Sequence, residues 1–311
     1  MESQRKVRKT KVLVIGATGN IGKHIALAGC AEGCSVFALI RPSTLSSKAS
    51  LVDSLRSAGV VIVEGSLEDH ESLLCAIKKV HVVITAVGSN TLDQLKIIEA
   101  IKEAGNVKRF MPSEFGNDVD RCNVHTLEPA RTFFARKAQI RGAVEEAKIP
   151  YTYVVSNSFG SPMLTTLLQP GLRAPPRDEV SIYGGGNIKF VAVLEEDIAT
   201  YTIKAVNDQN TLNKTMHIRP PANIMTMNSL VALWEKLIGK TLEKVTVTAE
   251  QLEDVIECTP RILKLFPAIL HNIVILGDQC NFNLGPQDVE ATYLYPEHKY
   301  ITIEEYLSRF V

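Results

Sequence analysis

Long apolar runs are missing from this chain of 311 residues. None reaches the roughly 18 consecutive apolar positions that mark a membrane span. The most apolar segment, "LKLFPAILHNIVILG", is interrupted by Pro267, His271 and Asn272. A soluble protein with no membrane partner is expected. An excess of charge of either sign is missing too: Lys+Arg and Asp+Glu each number 34. No whole-molecule field would draw the chain to nucleic acid or to an anionic bilayer, and the expected partner is a small molecule. The six cysteines, Cys30, Cys34, Cys75, Cys122, Cys258 and Cys280, never fall into paired C-x-x-C spacing, which argues against a zinc site, and no metal is expected. No apolar segment follows the basic start "MESQRKVRKTK", which reads as a solvated arm and not as a secretory signal. The expected location is cytoplasmic, where the cysteines stay reduced and the sequon Asn213-Lys214-Thr215 meets no glycosylating enzyme. Internal repeats and low-complexity tracts are absent.

What is present is an alternation. "KVLVIGA", "SVFALIR", "VVIVEGS", "VHVVITAV", "VKRFMPS" and "YTYVVSN" are β-rich runs separated by stretches long enough for crossover helices. Unbroken Val/Ile runs suit strands buried on both faces, as in a parallel sheet covered by helices. The expected fold is α/β, a Rossmann-type doubly wound parallel sheet with a smaller C-terminal substrate lobe. Residues 1–157 are assigned to the dinucleotide-binding domain and 158–311 mainly to the lobe, with some segments of the latter returning to the first domain. "QPGLRAPPRDEVSIYGGGN" reads as a surface connection at the start of the lobe. "VALWEKLIGKTLEKV" reads as a helix followed by a strand, and "TIEEYLSRFV" as a final helix with a threonine cap.

Gly16, Gly19 and Gly22 stand three apart between the first strand and the helix "NIGKHIALAGCAEG". Glycine there permits a tight turn, a close approach of backbone to a pyrophosphate, and close helix packing. Free N–H groups at the helix start can then receive phosphates. The same spacing also suits a plain turn; the strand before and the helix after favour the dinucleotide. The second strand ends on Arg41, where an NAD site commonly carries an acidic residue. A guanidinium suits a 2′-phosphate, so NADPH is favoured over NADH, with Lys48 as a second phosphate ligand.

Many reductases of this fold carry Tyr-x-x-x-Lys, in which the tyrosine gives a proton to a carbonyl. The corresponding helix here reads "EPARTFFARKAQIRGAVEEA", and Phe133 stands four residues before Lys137. Phenylalanine has no proton to give, so Lys137 would carry the acid–base work alone, with Arg141 one turn further on. The alternative is an exposed Lys/Arg pair on an amphipathic helix.

"GATGNIG", "IRPST", "NVKRFMPSEFGNDVDR", "KAQIR", "IPYTYV", "WEKLIGKTLEK" and "VEATYLYP" together resemble the plant isoflavone reductase-like group over nearly the whole chain. That group includes phenylcoumaran benzylic ether, pinoresinol–lariciresinol and isoflavone reductases and phenylpropene synthases; the chain looks most like the first. The resemblance implies an atypical short-chain reductase fold of NmrA-like type, an NADPH cofactor, a phenolic small-molecule substrate, and a homodimer as the assembly to test. It implies Lys137 as the catalytic base. Cofactor contacts would come from Gly16, Ala17, Thr18, Gly19, Asn20, Ile21 and Gly22, from Arg41 and Lys48, from Val87 and Gly88, and from Arg141, Asn157 and Phe159. Phe159, Met163 and His271 would line the substrate pocket, although by sequence alone His271 is more often a satisfied core histidine. The implied reaction is reductive opening of a benzylic ether through a quinone methide. Rival readings are a related reductase of an isoflavone, an alkaloid intermediate or a monolignol ester, and a non-catalytic NADPH sensor. The chain departs from the group's pattern at "NSFGSPML", at Asn20 and at Gly142.

Overall fold

A computed structural model describes residues 9–88 and 90–311; most of the basic N-terminal arm lies outside the described residues. The chain forms two compact units, each discontinuous in sequence: residues 1–113, 140–153 and 199–214 in one, and 114–139, 154–198 and 215–311 in the other.

The first unit is built on β1 (Lys11–Ile15), β2 (Ser35–Ile40), β3 (Val61–Glu64), β4 (Val82–Thr85) and β5 (Arg109–Met111), in the order β3-β2-β1-β4-β5. All four ladders are parallel. Val12, Leu13 and Val14 of β1 and Val83 and Ile84 of β4 are fully buried. That is why these strands read as unbroken apolar runs and not as alternations. The crossovers include α1 (Asn20–Ala31), α2 (Pro42–Ser47), α3 (Ala49–Ser57), α4 (His70–Ile77) and α5 (Gln94–Ala104). Leu13 and Val83 share a core with Leu73 and Ile77 of α4 and Ile97 and Ile101 of α5. Strand order reverses between β1 and β4, so a crevice opens beyond their carboxyl ends.

Two later segments complete this unit. The long helix α6 (Ala130–Glu146) contributes its second half, and Tyr151 bridges to Phe110 ahead of β6 (Thr152–Val155). Residues 199–214 return: Asn207 Nδ2 donates to Thr10 Oγ1 at 2.7 Å, and the buried Arg109 guanidinium donates to the Ala205 carbonyl and, at 2.8 Å, to Thr211 Oγ1.

The second unit has its own core around Trp234, Phe190, Leu164 and Leu230. Its strands are β7 (Ser158–Phe159), β8 (Glu179–Tyr183), β9 (Lys189–Val193), β10 (Lys214–His217), β11 (Ile224–Thr226), β12 (Glu243–Val247) and β13 (Asp288–Glu290), which form the small sheets β13-β10-β6, β11-β9-β7 and β12-β8. Its helices are α7 (Gly160–Thr165), the start of α8 (Glu195–Ala205), α9 (Met227–Ile238), α10 (Ala249–Cys258), α11 (Leu265–His271), α12 (Ala291–Leu294) and α13 (Ile303–Leu307). The helix–strand reading of residues 231–245 matches α9 and β12, and Thr302 caps α13 by accepting from the Glu305 N–H at 3.2 Å.

Two sequence expectations need correction. A single cut after residue 157 does not separate the units: 114–139 packs with the second through Asn123 N–H to Asp278 Oδ2 at 3.0 Å and Asn272 to Thr126 at 2.8 Å. The presumed surface connection contains a strand, because "EVSIY" buries Val180, Ile182 and Tyr183 between flanking Pro and Gly that hid its pattern. Among the described residues no helix is long and apolar enough to cross a membrane, and all six cysteines are free thiols.

Candidate active site

In the first unit the chain after β1 turns at Gly16 with φ +90°, a conformation that disfavours any side chain. Gly19 N–H donates back to Gly16 C=O at 2.9 Å, and α1 starts at once. A Cβ on Gly22 would lie 2.1 Å from the Gly16 oxygen, and one on Gly16 would lie 2.6 Å from the Ala86 oxygen. The loop therefore packs backbone to backbone at the β1/β4 reversal. It edges a cleft of about 260 Å³ lined by Gly16, Thr18, Arg41, Thr44, Ser66, Val87, Gly88 and Asn90, among others. Val87 and Gly88 follow β4. Arg41 is exposed at the end of β2, and Lys48 Nζ donates to the Thr18 carbonyl at 2.9 Å, which brings its charge onto the glycine loop. Thr44, Ser66 and Asn90 escaped sequence reasoning as site residues, although Thr44 stood inside "IRPST" and Ser66 at the end of "VVIVEGS".

Arg141, also in the first unit, is buried, with its guanidinium 4.6 Å from the Tyr153 ring centroid. Tyr153 OH donates to Arg141 C=O at 3.2 Å and to Glu145 Oε1 at 3.1 Å; burial, with Glu145 beside it, pushes this phenol well above its usual range. An exposed Lys/Arg pair is thus not what α6 presents.

Lys137, in the second unit, is half-buried. Its Nζ donates to the Glu114 carbonyl at 2.5 Å and stands 4.9 Å from the Phe133 ring centroid. Asn157 takes φ +62°, donates from Nδ2 to Ile218 C=O at 3.0 Å, and leaves its buried Oδ1 without a hydrogen-bond partner. Phe159 pairs with Val193 in β7, while Met163 is buried in the core that also holds Ala268 and Leu270 of α11. His271 ends α11 just before a π-helical turn over Asn272–Leu276. Its Nε2 is 3.4 Å from Glu253 Oε1 without hydrogen-bond alignment, and burial holds the imidazole below its ordinary value despite that carboxylate.

A buried network also went unseen. His217 Nε2 lies 3.3 Å from Asp288 Oδ1 and 3.7 Å from Asp118 Oδ2, and Arg121 pairs with both carboxylates. His217, Asp288 and Asp118 are the described residues grouped closely enough to ligate a metal. The guanidinium pairs with both carboxylates and balances one of their two charges, so the cluster is read as an ion-pair network that anchors the "NDVDR" segment.

A parallel sheet with a glycine loop at its strand-order reversal defines the class of dinucleotide-binding α/β proteins. The model of the NmrA-like family matches residues 8–307, and the chain belongs to that family. It is 54% identical to phenylcoumaran benzylic ether reductase PT1 of Pinus taeda over 307 residues, covering 97% of this chain and 99% of the relative. It is also 54% identical to eugenol synthase 1 of Petunia hybrida over 306 residues, with the same coverage. A crystal structure of isoflavone reductase superposes with a TM-score of 0.93 at 45% identity, covering 98% of this chain and all of that one. A structure described as AtPrR2 with NADP+ and (+)pinoresinol superposes with a TM-score of 0.93 at 42% identity, covering 98% and 99%.

Proposed function

We propose that the chain is an NADPH-dependent reductase of phenolic phenylpropanoid-derived substrates, and that its reaction is reductive opening of a benzylic ether in a lignan or neolignan. The observation that carries this reading is Lys137, a half-buried amine held by a backbone carbonyl on a helix whose preceding turn offers Phe133 in place of a tyrosine acid. Carbonyl reduction needs a proton donor for the alkoxide; a phenolic benzylic ether needs a base instead.

The cleft suits the cofactor, because its edge is a cradle that a Cβ at Gly16 or Gly22 would fill. The backbone from Gly16 to Gly22, including Ala17, Thr18, Gly19, Asn20 and Ile21, would hold the pyrophosphate. Arg41 and Lys48 would hold the 2′-phosphate. Val87, Gly88 and Arg141 in the first unit, and Asn157 and Phe159 in the second, are the further proposed contacts. When bound, the cofactor supplies a hydride. Lys137 removes the phenol proton, and the phenolate electrons expel the para benzylic oxygen to leave a quinone methide on the substrate. Its benzylic carbon accepts the hydride and the ring becomes a phenolate again. Two protons go back, one to that phenolate and one to the expelled oxygen, from the Lys137 ammonium and water. Phe159, Met163 and His271 would shape the substrate wall.

The equal identity to a eugenol synthase favours a second reading, a monolignol ester whose carboxylate leaves in place of the ether oxygen. Incubation with NADPH and dehydrodiconiferyl alcohol, pinoresinol, lariciresinol, an isoflavone or coniferyl acetate, with products read by mass, separates the two. Lys137→Ala should lower kcat by about 10²–10⁴, the usual worth of a positioned acid–base group, and leave NADPH binding intact. Methylating the substrate phenol should abolish turnover by the unmodified enzyme. Rapid turnover of the methyl ether would refute the mechanism.

A further inference from the structure

Phe133 stands out as a gap in the chemistry, since a tyrosine at that place would supply an acid. Its surroundings show what the ring itself does. Residues four apart on a helix face one another, and the Lys137 ammonium nitrogen lies 4.9 Å from the Phe133 centroid. That nitrogen also makes a directional contact, a 2.5 Å hydrogen bond to the Glu114 carbonyl. Packing alone accounts poorly for the ring. Its neighbour Phe134 is buried and fills the core, whereas Phe133 is only half-buried and packs at the core's edge, where any aliphatic side chain of similar size would serve.

An aromatic face attracts an ammonium and offers nothing comparable to a neutral amine. The ring therefore acts only in the protonation state that Lys137 reaches after taking a proton. The same logic governs the carboxylate behind a catalytic histidine, which stabilises the imidazolium as it forms. Resting on the proposed role of Lys137 as base, we infer that Phe133 is a positioning residue. Its ring and the Glu114 carbonyl form a two-sided seat for the lysine ammonium generated by deprotonation of the substrate phenol.

The test compares Phe133→Leu, Phe133→Tyr, Phe133→Trp and Lys137→Ala in the full chain with NADPH. Phe133→Leu keeps the apolar bulk but removes the aromatic face, and kcat should fall about three- to thirtyfold, the range set by a cation–π contact between an exposed and a desolvated site. KM and the NADPH dissociation constant should not move. Phe133→Tyr and Phe133→Trp should restore kcat, because each ring has a face. NMR of ¹³C-methylated Lys137 gives a readout free of turnover: the upfield ring-current shift should be present with Phe, Tyr and Trp and lost with Leu. Loss of that shift in Phe133→Leu with kcat unchanged would overturn the inference. A fall in kcat that Tyr and Trp fail to rescue would overturn it too, since that pattern is packing. Activity retained by Lys137→Ala would refute the base assignment itself, a result distinct from either.

Discussion

Replacing Gly22 by alanine puts the cofactor loop under the most direct strain. The added Cβ would sit 2.1 Å from the Gly16 oxygen and 2.7 Å from its carbonyl carbon, both backbone atoms, so no rotamer change relieves the overlap. Reaching an ordinary contact of about 3.5 Å requires the start of α1 to retreat by more than an ångström. Gly16 has little room to yield, since it lies against the Ala86 carbonyl. Forced overpacking of this kind costs about 1–3 kcal/mol, against a gain of about 1 kcal/mol from replacing a helical glycine by alanine. The retreat also pulls first-turn N–H groups away from the phosphates, and a lost charge-assisted hydrogen bond is worth about 1.5–3 kcal/mol. NADPH affinity should therefore fall about ten- to hundredfold while Tm changes by only a few degrees. Gly142→Ala is the matched control: it is exposed on α6, has nothing within 4 Å of its added Cβ, and should stabilise the protein by about 0.5–1 kcal/mol with no effect on the cofactor. Fluorescence titration of NADPH and thermal unfolding measure both variants. A Gly22→Ala protein that binds NADPH as tightly as the parent would refute the packing argument.

Arg41→Ala should lower NADPH affinity about ten- to hundredfold and leave NADH affinity unchanged, with a smaller loss for Lys48→Ala, whose charge is already drawn to the Thr18 carbonyl. Equal affinities of the unmodified protein for the two cofactors, by calorimetry, would remove the 2′-phosphate assignment. Stability should decline on mild acidification. Burial depresses the imidazoles of His217 and His271 in the folded state, although Asp118 and Asp288 oppose it at the first and Glu253 at the second. The unfolded chain accepts a proton near the ordinary value of about 6.5 while the folded one resists it. Their contribution is therefore complete above that pH and is lost as pH falls toward the depressed values, by at most about 1.4 kcal/mol per pH unit for each histidine. Tm measured from pH 7.5 to 5 should fall, and a rise over that interval would contradict the linkage.

The first unit was legible because its strands bury both faces, and burial on both faces leaves an unbroken apolar run in the sequence. Its glycines were legible for a related reason: the 2.1 Å and 2.6 Å approaches at Gly22 and Gly16 admit one residue type, so the geometry writes itself into the letters. The second unit offered less. Its strands are short and sit in three small sheets, and Pro and Gly crowd around β8. The pairing of Arg121 with Asp288 joins residues 167 apart, a separation at which no local pattern operates. The hydrogen bond of Lys137 was hidden more deeply, since its acceptor at Glu114 is a backbone carbonyl, a group that every residue carries.

That difference bears on which half of the function is written in the sequence. Cofactor recognition, on the proposed reading, would rest on absences of side chains and on a charge at a strand end, and both survive divergence as recognisable letters. Substrate choice, on the proposed reading, would rest on the shape of a wall. Met163 is buried among aliphatic neighbours and His271 sits against Glu253 beside a π-helical turn, so each position depends on packing several residues deep. A similarly sized apolar residue at 163 would read the same and pack differently. Relatives at the same identity, a phenylcoumaran benzylic ether reductase and a eugenol synthase, are named for different reactions. A phenol with a leaving group on its para side-chain carbon would satisfy Lys137 and the hydride equally well, whether the departing atom is an ether oxygen or a carboxylate oxygen. Selectivity between them must therefore come from the volume around that leaving group, and substitutions in α7 and α11 should redistribute substrates without altering how the cofactor is held.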